Sequence, residues 1–167
     1  MNKLSLKNRF LKVGNKFRTG DFNLITIATI IDEIRYSVGE LTSNEVRLLL
    51  EIPISVLKVD VELKDESIWC EENMDYFAGN LCIEDDFGMD LRKKVLQGNC
   101  DINDMLRSLE YVKDNYNSLI NRHGRNIELI LRNPEVTLRE DCKIVDEDKF
   151  RSNGELFAKY IDKAIKL

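Results

Sequence analysis

One histidine, two prolines and no Cys-x-x-Cys pair occur in these 167 residues. The lone histidine, His123, leaves a mixed Cys/His zinc site almost nothing to draw on. It also gives any Ser/His/Asp-type triad a single possible base. The four cysteines, Cys70, Cys82, Cys100 and Cys142, lie far apart. No uninterrupted apolar stretch of the kind a secretion signal needs leads the chain, so reduced thiols in a cytosolic protein are expected. No run reaches the roughly 18 apolar residues of a membrane span. Glycine-rich phosphate loops are missing as well, which removes the usual nucleotide-binding signatures. With so few prolines and glycines, a turn-rich all-β fold is disfavoured.

What is present suffices for a packed core. Hydrophobic residues make up 43% and charged ones 33%, a balance of globular rather than disordered chains. The length suits one domain, 1–167. Leu6, Phe10, Val13 and Phe17 step by four, three and four, which predicts a helix from about Ser5 to Arg18. Gly20 ends it, and Asp21 is placed to cap the next, which carries Leu24, Ile27, Ile31 and Ile34 towards Gly39. Thr42 and Glu45 have capping-box spacing before a third helix, which Pro53 is expected to stop. Val59, Val61 and Leu63 then alternate with charged residues as a half-buried strand does, and a partner strand is expected within Val136–Val145. Glu66 to Gly88 has no clear period. Met89 to Leu96 reads as a helix. Ile102, Met105, Leu109, Val112, Tyr116 and Leu119 make a long one that starts at Asp101 and is expected to end at Gly124, with a separate short helix over Asn126–Arg132. Ser152 and Glu155 suggest a capping box for the last helix. The fold class read from this is mainly α in one compact helical domain, or α+β with one small two-stranded element.

Charge is unevenly distributed. Between Asp60 and Asp90 there are eleven acidic residues and one basic one, Lys64, a net of −10 in a protein of −5 overall. The first twenty residues hold six basic residues and no acidic ones. Eleven like charges repel one another unless something else selects them. They are interleaved with aromatics, among them Trp69, the only tryptophan. Apolar anchors beside carboxylates are what an interface to a basic protein needs. The candidate partner-binding residues are therefore Asp65, Glu66, Trp69, Glu71, Glu72, Asp75, Tyr76, Glu84, Asp85 and Asp86. The bland alternative makes the aromatics core and the carboxylates a solvated rim.

Competing chemistries fit less well. A calcium loop with Gly88 at its sixth position would place Ile83 and Phe87 at ligand positions, so the pattern fails. A helix-turn-helix over Ser43–Lys58 would run into an acidic cluster that repels phosphate. His123, between Arg122 and Gly124, reads as part of a helix end before it reads as a general base. The basic N-terminal helix is expected to lie near the acidic segment and offset it. The functional expectation is a small acidic, cytoplasmic binding protein, not an enzyme, with no cofactor or metal. Its partner would be a basic protein, most specifically a toxic nuclease that it blocks as an immunity protein or antitoxin by occluding the active site. A nucleic-acid-binding regulator using the basic helix is the alternative, and an enzyme dependent on His123 or a metal is third.

Overall fold

The computed structural model describes residues 3–82 and 84–166. Among these the chain forms eight helices and one two-stranded antiparallel ribbon, and is 78% helical. The order is α1 (Lys3–Thr19), α2 (Leu24–Tyr36), α3 (Ser43–Val59), β1 (Val61–Leu63), α4 (Glu66–Gly79), α5 (Asp86–Leu96), α6 (Ile102–Val136), β2 (Cys142–Ile144), α7 (Glu147–Arg151) and α8 (Gly154–Ala164). A π-helical turn, Thr137–Asp141, leads from α6 into β2. The mainly α architecture with a small strand pair is thus the one the sequence pattern predicts.

Helix α3 lies in the middle, packed on α6, α8 and α2. Its start is the predicted capping box: the Glu45 amide donates to Thr42 Oγ1 at 3.2 Å, and the Thr42 amide to Glu45 Oε1 at 2.8 Å. Pro53 does not stop it. Proline costs about 3 kcal/mol in a helix interior, through one lost hydrogen bond and a clash with the preceding turn. Leu49, Leu50, Ile52, Ile54, Val56 and Leu57 are all buried around it, and at about 1.5–3 kcal/mol for each side chain taken from water their burial outweighs that cost. Helix α2 is capped by Asn23 rather than Asp21; its Oδ1 accepts from the amides of Ile25 and Thr26.

The 35-residue α6 is also longer than expected. Gly124 does not end it, because the buried positions Tyr116, Leu119, Ile127, Ile130 and Leu131 keep one helical phase across the glycine. The Asn126–Arg132 segment is therefore the second half of the same helix. A mid-helix glycine costs about 1 kcal/mol, little against a continuous buried seam. His123 falls within this helix, and its side chain lies outside the described residues. Tyr116 joins α6 to the α2–α3 turn, donating its hydroxyl to the Leu41 carbonyl at 3.1 Å and accepting from the Gly39 amide at 3.2 Å.

The chain ends close together. Helix α1 packs on α8 and α2, and Phe17, Phe22, Phe150 and Phe157 interlock, with Phe17–Phe22 and Phe17–Phe157 edge-on at 5.1 and 5.3 Å between centroids. Gly154 opens α8 where a β-carbon would lie 2.6 Å from the Phe17 carbonyl oxygen. The predicted Ser152–Glu155 box is not made: Asn153 is the N-cap, with no side-chain capping bond. Ser152 Oγ instead donates to the Lys149 carbonyl, closing α7.

The ribbon pairs Val61 with Ile144, Glu62 with Lys143 and Leu63 with Cys142. Val59 belongs to α3, and the partner strand is shorter than predicted because Arg139, Glu140 and Asp141 lie in the π turn. Between α3 and β1 sits Asp60, only 2% exposed. Its carbonyl accepts from the Val145 amide at 2.9 Å, but neither carboxylate oxygen has a hydrogen-bond partner. Burial pushes this carboxyl above the ordinary aspartate range, with Lys149 pulling it down and Asp146 pushing it further up. The folded state therefore holds the proton more tightly than the unfolded chain. The associated stability is full below the unfolded aspartate pKa near 3.9 and is lost as pH rises through the folded value. Asp60→Asn is expected to stabilise the fold by about 1–2 kcal/mol at pH 7. Urea midpoints should show a smaller gain at pH 4 than at pH 7; an equal gain at both would contradict the assignment.

Candidate partner-binding face

The acidic segment, which has no legible period, folds as α4, a loop and the start of α5. Asp65 caps α4 by accepting from the Ile68 amide at 3.1 Å. The inward side of α4 carries Trp69, Phe77 and Ala78. Trp69 is 1% exposed. Its indole Nε1 donates to Thr137 Oγ1 at 3.2 Å, and its ring packs edge-on against Phe77 at 5.5 Å. Asn133, buried on α6, donates to the Phe77 carbonyl at 3.1 Å and accepts from Asn80 at 2.7 Å. These bonds fix α4 against the C-terminal end of α6, and they place Trp69 in the core, away from any docking surface.

The outward side follows from the same rotation. Ile68, Glu71, Glu72, Asp75 and Tyr76 are spaced i, i+3, i+4, i+7 and i+8, one stripe over three turns, and all are exposed. Glu66, Glu71, Glu72, Asp75 and Asp86 form no ion pair among the described residues. Ile68 and Tyr76 are 49% and 44% exposed, so the stripe carries apolar surface as well as charge. Ile68 was not singled out from the sequence; it stands about 100° round the helix from the buried Trp69, far enough to reach the surface.

Asp85 has a local role. It caps α5, accepting from the amides of Phe87 at 2.8 Å and Gly88 at 3.3 Å, and its other oxygen accepts from the Tyr111 hydroxyl. Burial, and then this bond, push the Tyr111 pKa upward. Phe87 stacks on Tyr111 with centroids 4.1 Å apart. Gly88 is required here, since a β-carbon would lie 2.1 Å from the Cys82 carbonyl oxygen. Glu84 and Asp86 stay exposed on either side.

Two further carboxylates join the face through the fold. Burial pushes the Asp141 carboxyl up, Glu140 and Glu72 add to the shift, and Lys64 opposes it, so the π turn carries acid beside the α4 stripe. The basic α1 does not. Arg9 pairs with Glu33 on α2 at 2.9 Å, Arg18 pairs with Asp162 on α8, and Lys7 donates to the Lys166 carbonyl at 3.0 Å. The expected offsetting of the acidic segment by α1 is therefore corrected: its cations are matched by α2 and α8, because it packs there. Lys12 and Lys16 remain exposed without an ion pair among the described residues.

Behind the stripe runs a chain of polar contacts. Tyr76 accepts at its hydroxyl from Arg132 Nε at 2.6 Å. Arg132 lies 3.5 Å from Glu135, which pairs with Arg139 at 2.9 Å; Arg139 reaches Asp32 at 3.0 Å, and Asp32 holds Arg35 at 2.8 Å. Burial raises the Glu135 pKa, as does a hydrogen bond with Asp32, while Arg139 opposes both. This network couples α4 to α2, α6 and the π turn and holds Tyr76 upright. Among the described residues no group of three or more His, Cys, Asp or Glu is placed to hold a metal ion, and no helix is long and apolar enough to cross a membrane. No protein-family model, curated protein or solved structure matches this chain. Because Trp69 fills the α4–α6 junction, Trp69→Ala is expected to cost about 3–5 kcal/mol of stability, measured by urea unfolding; a loss under 1 kcal/mol would place the indole elsewhere.

Proposed function

We propose that this chain is a binding protein that docks a basic protein partner through the outward stripe of α4 and the loop leading to α5. The observation that carries the reading is the unpaired Glu71–Glu72–Asp75 row flanked by half-exposed Ile68 and Tyr76. A solvated rim accounts for the charge but not for an isoleucine and a tyrosine standing in it. Apolar centres with charged surrounds supply affinity from the first and encounter rate from the second. The finer form of the proposal is a cytoplasmic immunity protein or antitoxin that neutralises a nuclease toxin. A nuclease lines its active site with Lys and Arg to hold phosphate, and a row of carboxylates on one helix face covers such a site by the same electrostatics. The role calls for no catalytic group of its own.

Immobilised chain should retain a basic protein from extracts of the producing cells at low salt. A Glu71→Gln/Glu72→Gln/Asp75→Asn triple variant should slow association at least about tenfold and flatten its salt dependence. Tyr76→Ala should raise the dissociation rate, at a cost of about 2 kcal/mol. The retained protein, freed of this chain, should cleave nucleic acid and stop when the chain is restored. Equal retention by the triple variant would overturn the interface. The second surface is α1, where Lys12 and Lys16 stand exposed. Retarded DNA that is released on Lys12→Gln/Lys16→Gln would move the function there.

A further inference from the structure

Beside the acidic stripe, α4 and the turn entering α6 enclose a cleft of about 650 Å³ with two thiols in its wall. Cys70, half-buried on α4, points its sulfur at the main chain of Cys100, donating to that carbonyl at 3.0 Å. Cys100 is 4% exposed and lies between Gly98, in the left-handed region at φ 72°, and Asp101, the cap of α6. Cys70 Sγ is thus one hydrogen bond from the main chain of Cys100, whose own sulfur lies 3.9 Å from the Asp101 carbonyl oxygen. Cys100 is in neither helix nor strand, so its side chain can turn towards Cys70 with adjustment of a loop and no broken ladder.

We infer that Cys70 and Cys100 are a redox pair that closes to an intramolecular disulfide with a small-molecule disulfide as oxidant, tying α4 to the start of α6. The inference stands apart from the identity of any partner. Cys70, the more accessible thiol, loses its proton to solvent and attacks one sulfur of the oxidant. The oxidant's S–S bond breaks, one thiolate leaves and takes up a proton, and the other half stays on Cys70 as a mixed disulfide. Cys100, deprotonated in turn, attacks the Cys70 sulfur and expels the second thiol. The protein dithiol is oxidised by two electrons, and the oxidant is reduced to two thiols.

The surroundings set the conditions. Burial raises both thiol pKa values; Glu66, Asp101 and Asp104 raise that of Cys70, while Cys100 faces Asp104, Cys70 and Asp101 with only Lys94 opposing. Thiolate is therefore scarce at neutral pH, and the pair stays reduced without an oxidant. Below a thiol's pKa the thiolate fraction grows about tenfold per pH unit, so closure should accelerate about tenfold per unit between pH 7 and 9. A cationic disulfide is drawn to the carboxylates around the cleft and an anionic one repelled. Cystamine should therefore outpace glutathione disulfide, by a margin that shrinks in high salt.

The folded 167-residue chain is incubated with cystamine at pH 8, alkylated in denaturant with iodoacetamide, and read by intact mass and peptic mapping. The expected product carries two alkyl groups in place of four, with the Cys70 and Cys100 peptides joined. Cys100→Ser should stop at a cysteamine adduct on Cys70, and Cys82→Ser should close like the natural chain. Circular dichroism verifies that each variant is folded, and the map of the natural chain decides the matter without them. Four alkylated cysteines, a persistent adduct on Cys70 in the natural chain, or a bond from either residue to Cys82 or Cys142 would overturn the pairing.

Discussion

The apolar seam that α6 keeps in one helical phase on both sides of Gly124 is the constraint on which the rest of the molecule depends. At 1.5 Å per residue this helix is about 52 Å long; Met105, Leu109, Val112, Tyr116 and Leu119 are buried along its first half and Ile127, Ile130 and Leu131 along its second. Helices α2 and α3 pack along it, and α8 reaches it through α3. Its N-terminus is held by the buried Asp104, which closes a capping box with Asp101 and takes ion pairs from Lys94 and Arg107, both at 3.1 Å. Its other end, with Arg132, Asn133 and Thr137 in succession, is the seat of α4. A break at Gly124 would separate the part that builds the core from the part that holds the acidic helix.

That seat is what makes the acidic stripe tolerable. Like charges at i, i+3 and i, i+4 destabilise a helix by a few tenths of a kcal/mol each, and Glu71, Glu72 and Asp75 form such pairs. An isolated helix with this sequence would be marginal, since its apolar residues do not concentrate on one face. The inward side offsets the repulsion through one fully buried tryptophan and the hydrogen bonds from Asn133 and to Thr137. The helix that carries the carboxylates is fixed by contacts in which they take no part, which leaves them exposed and without ion pairs among the described residues. Their main chain is ordered in advance, so the docking proposed above would have only side-chain freedom to lose there.

Legibility in the sequence tracked the clarity of the period. Helices α1, α2, α3 and the first half of α6 were readable because each repeats buried residues at threes and fours. The errors fell where a local breaker met a global seam: Pro53 and Gly124 are interior to their helices because the burial on both sides of each outweighs a penalty of one to three kcal/mol. Helix α4 was not legible, with Ile68, Trp69, Cys70, Met74, Tyr76 and Phe77 distributed around it. Its charge was visible as composition, while the face that presents it depended on where Thr137 and Asn133 meet Trp69 and Phe77, contacts 56 to 68 residues distant in the chain. Separations of 56 and 30 residues hid the Tyr76–Arg132 link and the approach of Cys70 to the Cys100 carbonyl. The choice of Trp69 as an anchor confused the largest aromatic with the most exposed one; its neighbour Ile68 holds the surface position.

Charge balance completes the picture. The basic α1 and the acidic segment look complementary along the sequence, yet α1 spends Arg9 and Arg18 on Glu33 and Asp162. Local pairing neutralises Arg9 and Arg18 within the bundle, away from α4, and leaves the negative excess gathered at α4, the following loop and the π turn. The stripe from Ile68 to Tyr76 rises about 12 Å, comparable with a Debye length of about 8 Å at physiological salt. Its carboxylates therefore act on an approaching cation as one patch rather than as separate charges. For the proposed basic partner, that summed field would act at a distance and Ile68 and Tyr76 on contact, so electrostatics would govern arrival and the apolar pair how long it stays.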